Sequence, residues 1–464
     1  RWYENLYTAT APTQAPANVR IVPGVGTLWV TWDAVPGLGE SEQAMARYEV
    51  AALGADGTVA ARCIAESLIG CSLTGLDSTE RYRVTVHAEN VAGEGPESEP
   101  VTAVSLEDVG PPGTRFAPRR VVATGVADTN SVHAGDLDGD GDMDVLATAT
   151  DDDAIFWWEN SGSGHFAVRH LVVSDVSGPV VALADDLDQD GDGDVVSASF
   201  YDRLVYKHQN LGDAGFSAAE VIATDITNSY SLSLVDIDAD GWTDVLLGGV
   251  ANGALAWHRN QGDGQFTRAR VIDQPDRQVL AEITATDFDG DGDRDVLAAP
   301  GSGSAIRWHE NLGQGTFSQP RLIVEGLEYE DTSYLGAADL DGDGDSDIVH
   351  HSYLDSTLAW FENLSGSVLG RRVIALGGES GIAVNVADLD GDGDQDLVVG
   401  DYEEDKIVWY ENLDRGQFSD ERIIASSLDG FNDLHTADLD GDGDLDVLCA
   451  TYGDDTIAWY ENID

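Results

Sequence analysis

The chain has 464 residues, enough for two or three domains, and sets 86 acidic side chains against 24 basic ones for a formal net charge of −62. Such a charge makes nucleic acid and anionic membranes poor partners, and no apolar run is long enough to insert across a bilayer. Lysine occurs only at Lys207 and Lys406; an aspartate-rich, lysine-poor surface either suits high ionic strength, where self-repulsion is screened, or reflects compositional bias. The chain starts at Arg1 without a secretory signal, so it reads as a processed form or a fragment of a longer chain with further domains, and the compartment is not set by that end.

Residues 1–6, Arg-Trp-Tyr-Glu-Asn-Leu, repeat an element found again at Trp409-Tyr410-Glu411-Asn412 and Trp459-Tyr460-Glu461-Asn462. They read as the third strand of a β-repeat, either the end of an upstream copy or an added edge strand. The next such tryptophan is Trp157, far beyond one repeat. The fourth-strand element expected after Asn5 is found at Arg115-Phe116 to Val122. A small β domain therefore interrupts a repeat over residues 11–108. Its strands alternate in polarity around Leu28-Trp29-Val30-Thr31-Trp32, Arg47-Tyr48-Glu49-Val50 and Tyr82 to Asn90, and Leu76 six residues before Tyr82 fits a tyrosine corner, the pattern of a β-sandwich. With Pro16, Val19, Gly93 and Gly95, these residues resemble a fibronectin type III domain, which implies a spacer or docking module. Cys63 and Cys71 both lie in it, either as a local disulfide or as two thiols, since their spacing does not prove reach. Cys449 replaces small residues of a repeat strand and is expected to be a buried thiol.

From residue 114 to 464 one acidic motif recurs. Its copies begin at Asp136, Asp186, Asp236, Asp287, Asp339, Asp388 and Asp438, at steps of 50, 50, 51, 52, 49 and 50 residues, a period that means stacked supersecondary units. Carboxylates stand at positions 1, 3, 5 and 9 with glycine at position 6, the oxygen-rich turn that a hard cation such as Ca²⁺ requires. In the first copy Asp136, Asp138, Asp140 and Asp144 offer side chains, and Asp142 at position 7 offers its backbone carbonyl. The second copy offers Asp186, Asp188, Asp190, Asp192 and Asp194. In the third, Asp236, Asp238, Asp240 and Asp244 accompany Trp242, tolerated at position 7 because only its carbonyl is needed. The fourth has Asp287, Asp289, Asp291, Asp293 and Asp295, and the fifth Asp339, Asp341, Asp343, Asp345 and Asp347. The sixth has Asp388, Asp390, Asp392, Asp394 and Asp396, and the seventh Asp438, Asp440, Asp442, Asp444 and Asp446.

Around each loop an apolar strand leads in and a β-rich strand leads out. A turn follows, then a strand ending Trp-x-Glu-Asn, a glycine turn and a fourth strand. Four short strands in about fifty residues are the signature of a propeller blade, and seven copies predict seven blades. In a seven-bladed ring the fourth-strand element at Phe116 would then close the last blade beside Trp459, leaving residues 1–6 surplus. The loops, with Gly164/Phe166, Gly264/Phe266, Gly315/Phe317 and Gly416/Phe418, resemble the FG-GAP/VCBS repeats of integrin α-subunit propellers and of some lectins. That resemblance implies an all-β, seven-bladed β-propeller holding about seven Ca²⁺, one per blade, with the fibronectin-like sandwich inserted. It also implies an extracellular binding or adhesion module.

Metal loops all join first to second strands, so recognition is expected on the opposite face, in loops between second and third strands. Tyr201, Tyr353, Tyr402 and Tyr452, with His351 and Glu403, are the candidate ligand-binding residues, suited to stacking on sugar rings and binding their hydroxyls; the alternative is that the tyrosines cap strand ends. Carbohydrate is the first expected ligand and protein the second. Blade two departs from the pattern, with Lys207-His208-Gln209-Asn210 in place of Trp-x-Glu-Asn, as a specialised pocket or a relaxed blade. His133 and His435, on inner strands, are placed in the channel. Enzyme signatures such as His-Glu-x-x-His, Gly-x-Ser-x-Gly and a phosphate loop are missing. The remaining alternatives are a polysaccharide lyase, which some propellers are, and a structural part of a larger surface protein.

Overall fold

The computed structural model describes residues 13–24, 27–33, 35, 47–54, 57–65, 70–73, 81–90, 93–103, 115–212, 215–224, 231–250, 254–274, 280–300, 305–325, 332–352, 356–376 and 382–463. Residues 1–6, Tyr353 and Leu76 thus lie outside them. The chain divides into two compact units, the larger comprising Gly113–Gly416 and Glu421–Asp464.

The smaller unit is a two-sheet β-sandwich. One sheet orders Ala17–Gly24, Thr27–Asp33 and Gly70–Leu73. The other orders Val59–Ala65, Arg47–Leu53, Tyr82–Asn90 and Gly93–Glu97, with Val101–Ala103 also pairing Tyr82–Asn90. Alternation sends Leu28, Val30, Trp32, Tyr48, Val50, Tyr82, Val84 and Val86 into one core. Trp32 and Tyr48 meet at 5.2 Å, and the Val35 amide donates to Tyr48 Oη at 2.9 Å. Cys63 is disulfide-bonded, while Cys449, in the larger unit, is a free, fully buried thiol pushed up to about 12 by burial.

In the larger unit the described residues form seven four-stranded antiparallel sheets. The first comprises Val132–Gly135, Asp144–Ala149, Ala154–Asn160 and Phe166–Val173, in that order. Five more follow with the same order. The last joins Phe431–Ala437, Asp446–Thr451 and Thr456–Tyr460 to Arg120–Thr124 from the start of the unit, with Trp459 opposite Arg120. Phe116 forms a further bridge to Asn462, so the closure expected at Phe116 is present. Each innermost strand neighbours the next, and that of the last sheet neighbours that of the first, closing a β-propeller.

Closing the ring explains the burial. Second strands such as Asp144–Ala149 and Asp446–Thr451 are buried at every position, because both faces are covered by adjacent blades. The core is therefore a series of layers between blades. Val145, Ala147 and Trp158 of blade one pack with Leu448, Ile457 and Trp459 of blade seven. Outer strands place an arginine over a third-strand aromatic ring: Arg120 on Trp459, Arg169 on Phe156, Arg270 on Trp257, Arg321 on Trp308, Arg372 on Trp360 and Arg422 on Trp409, at 4.5–5.0 Å. Charged side chains on an outer edge also discourage pairing with another chain.

The third-strand tryptophan reaches the following blade. Trp459, Trp257, Trp308 and Trp360 lie against Gly164, Gly315, Gly366 and Gly416, all at positive φ. Lys207 does the same job by different chemistry: it is fully buried and its Nζ donates to the Gly264 carbonyl at 2.7 Å. Blade two is thus neither a pocket nor a relaxed blade at this position. His208 is buried against Ser197 Oγ at 2.9 Å and is held neutral, pushed down to about 4 by burial.

Gly315→Ala should cost about 3 kcal/mol, combining about 1–2 kcal/mol for an L-residue at φ +64 with overpacking against Trp257. Gly215→Ala, at φ +73 in open space, should cost only about 1 kcal/mol. Denaturant unfolding with cation present measures both; equal losses would contradict the interlock.

Candidate metal centres

Every loop is built by the same local bonds. The position 1 carboxylate turns back and accepts from the position 6 glycine amide at 2.7–3.1 Å, as Asp136 does from Gly141. The position 5 carboxylate accepts from the position 7 amide at 2.9–3.1 Å. These turns need φ between +90° and +101° at position 6, which glycine alone adopts without strain. They curl the carboxylates inward.

Position 9 is the anchor. Asp144, Asp194, Asp244, Asp295, Asp347, Asp396 and Asp446 are at most 1% exposed. One oxygen accepts from the amide of the blade's own Asn at 2.6–2.8 Å. In six loops the other accepts from the position 2 amide at 2.9–3.2 Å. Position 2 itself is a buried apolar plug: Leu137, Leu187, Ile237, Phe288, Leu340, Leu389 and Leu439.

The same Asn links blades. Its Nδ2 donates to the position 8 carbonyl of its own loop and, at 2.6–2.8 Å, to the position 2 carbonyl of the preceding blade's loop. Asn210 reaches Leu137 and Asn260 reaches Leu187; Asn160 of blade one reaches Leu439 of blade seven. The hydrogen bonds thus run round the whole ring through the loops. Sequence reading missed this role, although the signal was there: Asn holds its place in all seven copies while the Trp and Glu beside it change.

The donor sets could hold metal ions. Asp136, Asp138 and Asp144 bring carboxylate oxygens within 4.8 Å of one another, as do Asp186, Asp188 and Asp190, and Asp236, Asp238 and Asp244. Asp287, Asp289 and Asp291, and Asp339, Asp341 and Asp347, do likewise. Buried oxygens in these loops lack a donor among the described residues: Oδ1 of Asp188, Asp238, Asp289, Asp341 and Asp440, Oδ1 of Asp388 and Oδ2 of Asp194. A buried carboxylate oxygen with no donor is costly, and a hard cation satisfies it. Position 7 side chains are outside these triads. Asp142 and Trp242 lie against Gly162 and Gly262, and Asp345 accepts from the Ser365 amide at 2.8 Å.

Burial pushes the position 9 carboxyls up from 3.8, to about 7 for Asp144, Asp194, Asp244, Asp347, Asp396 and Asp446 and to about 6 for Asp295.

The opposite face is more selective than expected. Tyr201 and Tyr452 are 69% and 53% exposed and Phe200 is 51% exposed. Tyr201 rests on Gly178 and Tyr452 on Gly430, so each ring also covers the entry to its own blade's first strand. Tyr402 is half-buried and stacked on Phe431 at 5.5 Å; Glu403 is exposed. His351 is fully buried in Asp347–Ser352, a strand covered on both faces, and cannot meet a ligand there. His133 and His435 face each other at 4.6 Å on inner strands, both desolvated, with pKa values pushed down to about 4 and about 3.

The FG-GAP-like repeat family matches at residues 186–247, 236–298, 287–350 and 388–449, and the fibronectin type III domain family at 14–104. No curated protein matches the chain significantly in sequence. Among solved structures, an Agrocybe aegerita lectin, described as recognising non-reducing terminal N-acetylglucosamine, is 18% identical with a TM-score of 0.53, over 73% of this chain and 87% of its own. A Photorhabdus luminescens Tc holotoxin pore is 17% identical with a TM-score of 0.39, over 85% of this chain and 18% of its own. The fn3 domain of human collagen alpha-1(XX) chain is 20% identical with a TM-score of 0.18, over 23% of this chain and 98% of its own. At 18% identity the likeness to the lectin is one of fold.

Carboxyls whose folded pKa exceeds the unfolded value stabilise the fold below about pH 4 and lose that contribution as pH rises through about 7. A bound divalent cation favours the ionised form and reverses the sign. With chelator the melting temperature should fall between pH 5 and pH 8; with excess cation it should hold or rise. The same slope in both conditions would contradict the metal assignment.

Proposed function

Because the chain is built of FG-GAP-like repeats with a fibronectin type III domain, we propose that it is an extracellular, Ca²⁺-stabilised binding or adhesion module that recognises carbohydrate on the face opposite the metal loops. Each loop is read as a Ca²⁺ site, about seven in all, with side chains from positions 1, 3, 5 and 9 and the position 7 carbonyl. Calcium is favoured over magnesium because the smaller ion demands near-ideal octahedral geometry, whereas position 9 offers a carboxylate with both oxygens near the loop. Residues 11–108 are read as a spacer or docking module inserted between a third and a fourth strand, and residues 114–464 as the propeller. A disulfide at Cys63 supports an oxidising compartment. Among the described residues no helix is long and apolar enough to cross a membrane.

The observation that carries the carbohydrate reading is the pair of exposed aromatic turns in blades two and seven, Phe200-Tyr201 and Tyr452, on either side of blade one. Rigid rings stack on sugar faces, and the exposed Asp151 and Asp152 in the intervening blade one turn can accept from hydroxyls. Tyr402 contributes less because Phe431 holds its ring, and Glu403 stands beside it.

A glycan array probed with the Ca²⁺-loaded protein, terminal N-acetylglucosamine included, should find a ligand. Tyr201→Ala and Tyr452→Ala should each weaken binding about tenfold or more with little change in melting temperature. No glycan bound, or losses of stability that match the losses of binding, would overturn the carbohydrate reading and leave a protein partner or a structural role.

A further inference from the structure

In five blades the Glu of Trp-x-Glu-Asn stands beside its blade's metal loop: Glu159, Glu310, Glu362, Glu411 and Glu461. Their charges act on the position 3 carboxylates Asp138, Asp289, Asp341, Asp390 and Asp440. Blade two has the neutral Gln209, whose Nε2 donates to Asp188 Oδ2 at 2.6 Å. Blade three has Arg259. Its Nε reaches Asp238 Oδ2 at 2.5 Å and its Nη2 reaches Asp240 Oδ2 at 2.5 Å, so one guanidinium grips positions 3 and 5 together. Position 7 of the same loop is Trp242 where the other six have Asp. A standard blade thus gathers five Asp and one Glu, while blade three gathers four Asp and one Arg.

We propose that Arg259 is a built-in counter-ion of the third loop, which makes this loop the weakest cation site of the ring and lets blade three keep its loop shape when the other loops are stripped. The proposal rests on the loops being cation sites. A guanidinium held by two carboxylates supplies part of the positive charge that a divalent ion supplies elsewhere, and it withdraws one oxygen of Asp238 and one of Asp240 from coordination. Three units of local charge separate this loop from a standard one, and at these separations even partly screened charges alter affinity by tenfold or more. The ring of Asn260 hydrogen bonds to Leu187 and to Thr243 is intact, so the loop's place in the ring does not depend on the change.

Trp242 makes the test site-specific. Terbium luminescence sensitised by protein tryptophan is titrated on the whole chain, and the part that Trp242→Phe removes reports the third loop. That part should appear at about tenfold or more higher Tb³⁺ than the remaining emission. Arg259→Glu should bring it into line with the rest, and Arg259→Gln should fall between, as a second variant if the first folds poorly. Native mass spectrometry at limiting Ca²⁺ should count one ion fewer on the wild type than on Arg259→Glu. If the Trp242 signal titrates with the others in the wild type, or does not move in either variant, the proposal fails while the metal reading stands. If no loop takes Tb³⁺ or Ca²⁺, both fail.

Discussion

A fully buried aspartate in a chain of formal charge −62 is the constraint around which this propeller is arranged. Position 9 of every loop places a carboxylate where water cannot reach it, and desolvation of such a group is expensive unless hydrogen bonds and positive charge compensate. In six of the seven loops two backbone amides answer part of the cost, one from the loop's own position 2 and one from the Asn that ends the third strand, and Asp194 has only the second. On the proposed metal reading the rest falls to a cation. Since the side chain of that Asn also grips the preceding blade's loop, what fixes the carboxylate also fixes the spacing of neighbouring blades.

Stability is therefore spread round the ring rather than gathered in one core. Between blades the third-strand Trp, or Lys207, packs on a glycine of the next blade, and apolar layers fill the gap. At the rim of the same interface the Asn bridge and the loop hold the strands in register. A ligand that binds only the folded state contributes about 2.7 kcal/mol per independent site at a hundredfold excess over Kd. Several such sites reach on the order of 10 kcal/mol, comparable to the whole net stability of a typical domain.

Much of this was legible in the sequence because it repeats. The period, the four-strand unit, the Asp positions and the closing strand at Phe116 all follow from comparing copies within the chain. What was not legible depends on packing between copies. Alternation cannot tell in from out on a strand buried on both faces, and so His351 was placed on a surface that it does not reach. Tyr402, left open between stacking on a sugar and capping a strand end, is held by Phe431 from the next blade's first strand. The exchange of Trp for Lys207, read as a specialised pocket or a relaxed blade, places the ammonium on the Gly264 carbonyl instead. The substitution at Arg259 was readable as a charge, but its grip on Asp238 and Asp240 was not, since the two lie 21 and 19 residues away.

If cations in the loops hold the ring together, a calorimetric scan of the whole protein at low salt, with saturating Ca²⁺ and again with chelator, should reveal it. The propeller transition should drop by tens of degrees or vanish on chelation, and Ca²⁺ should restore it better than Mg²⁺, while the sandwich transition stays where it is. Propeller transitions that coincide with and without chelator would contradict it.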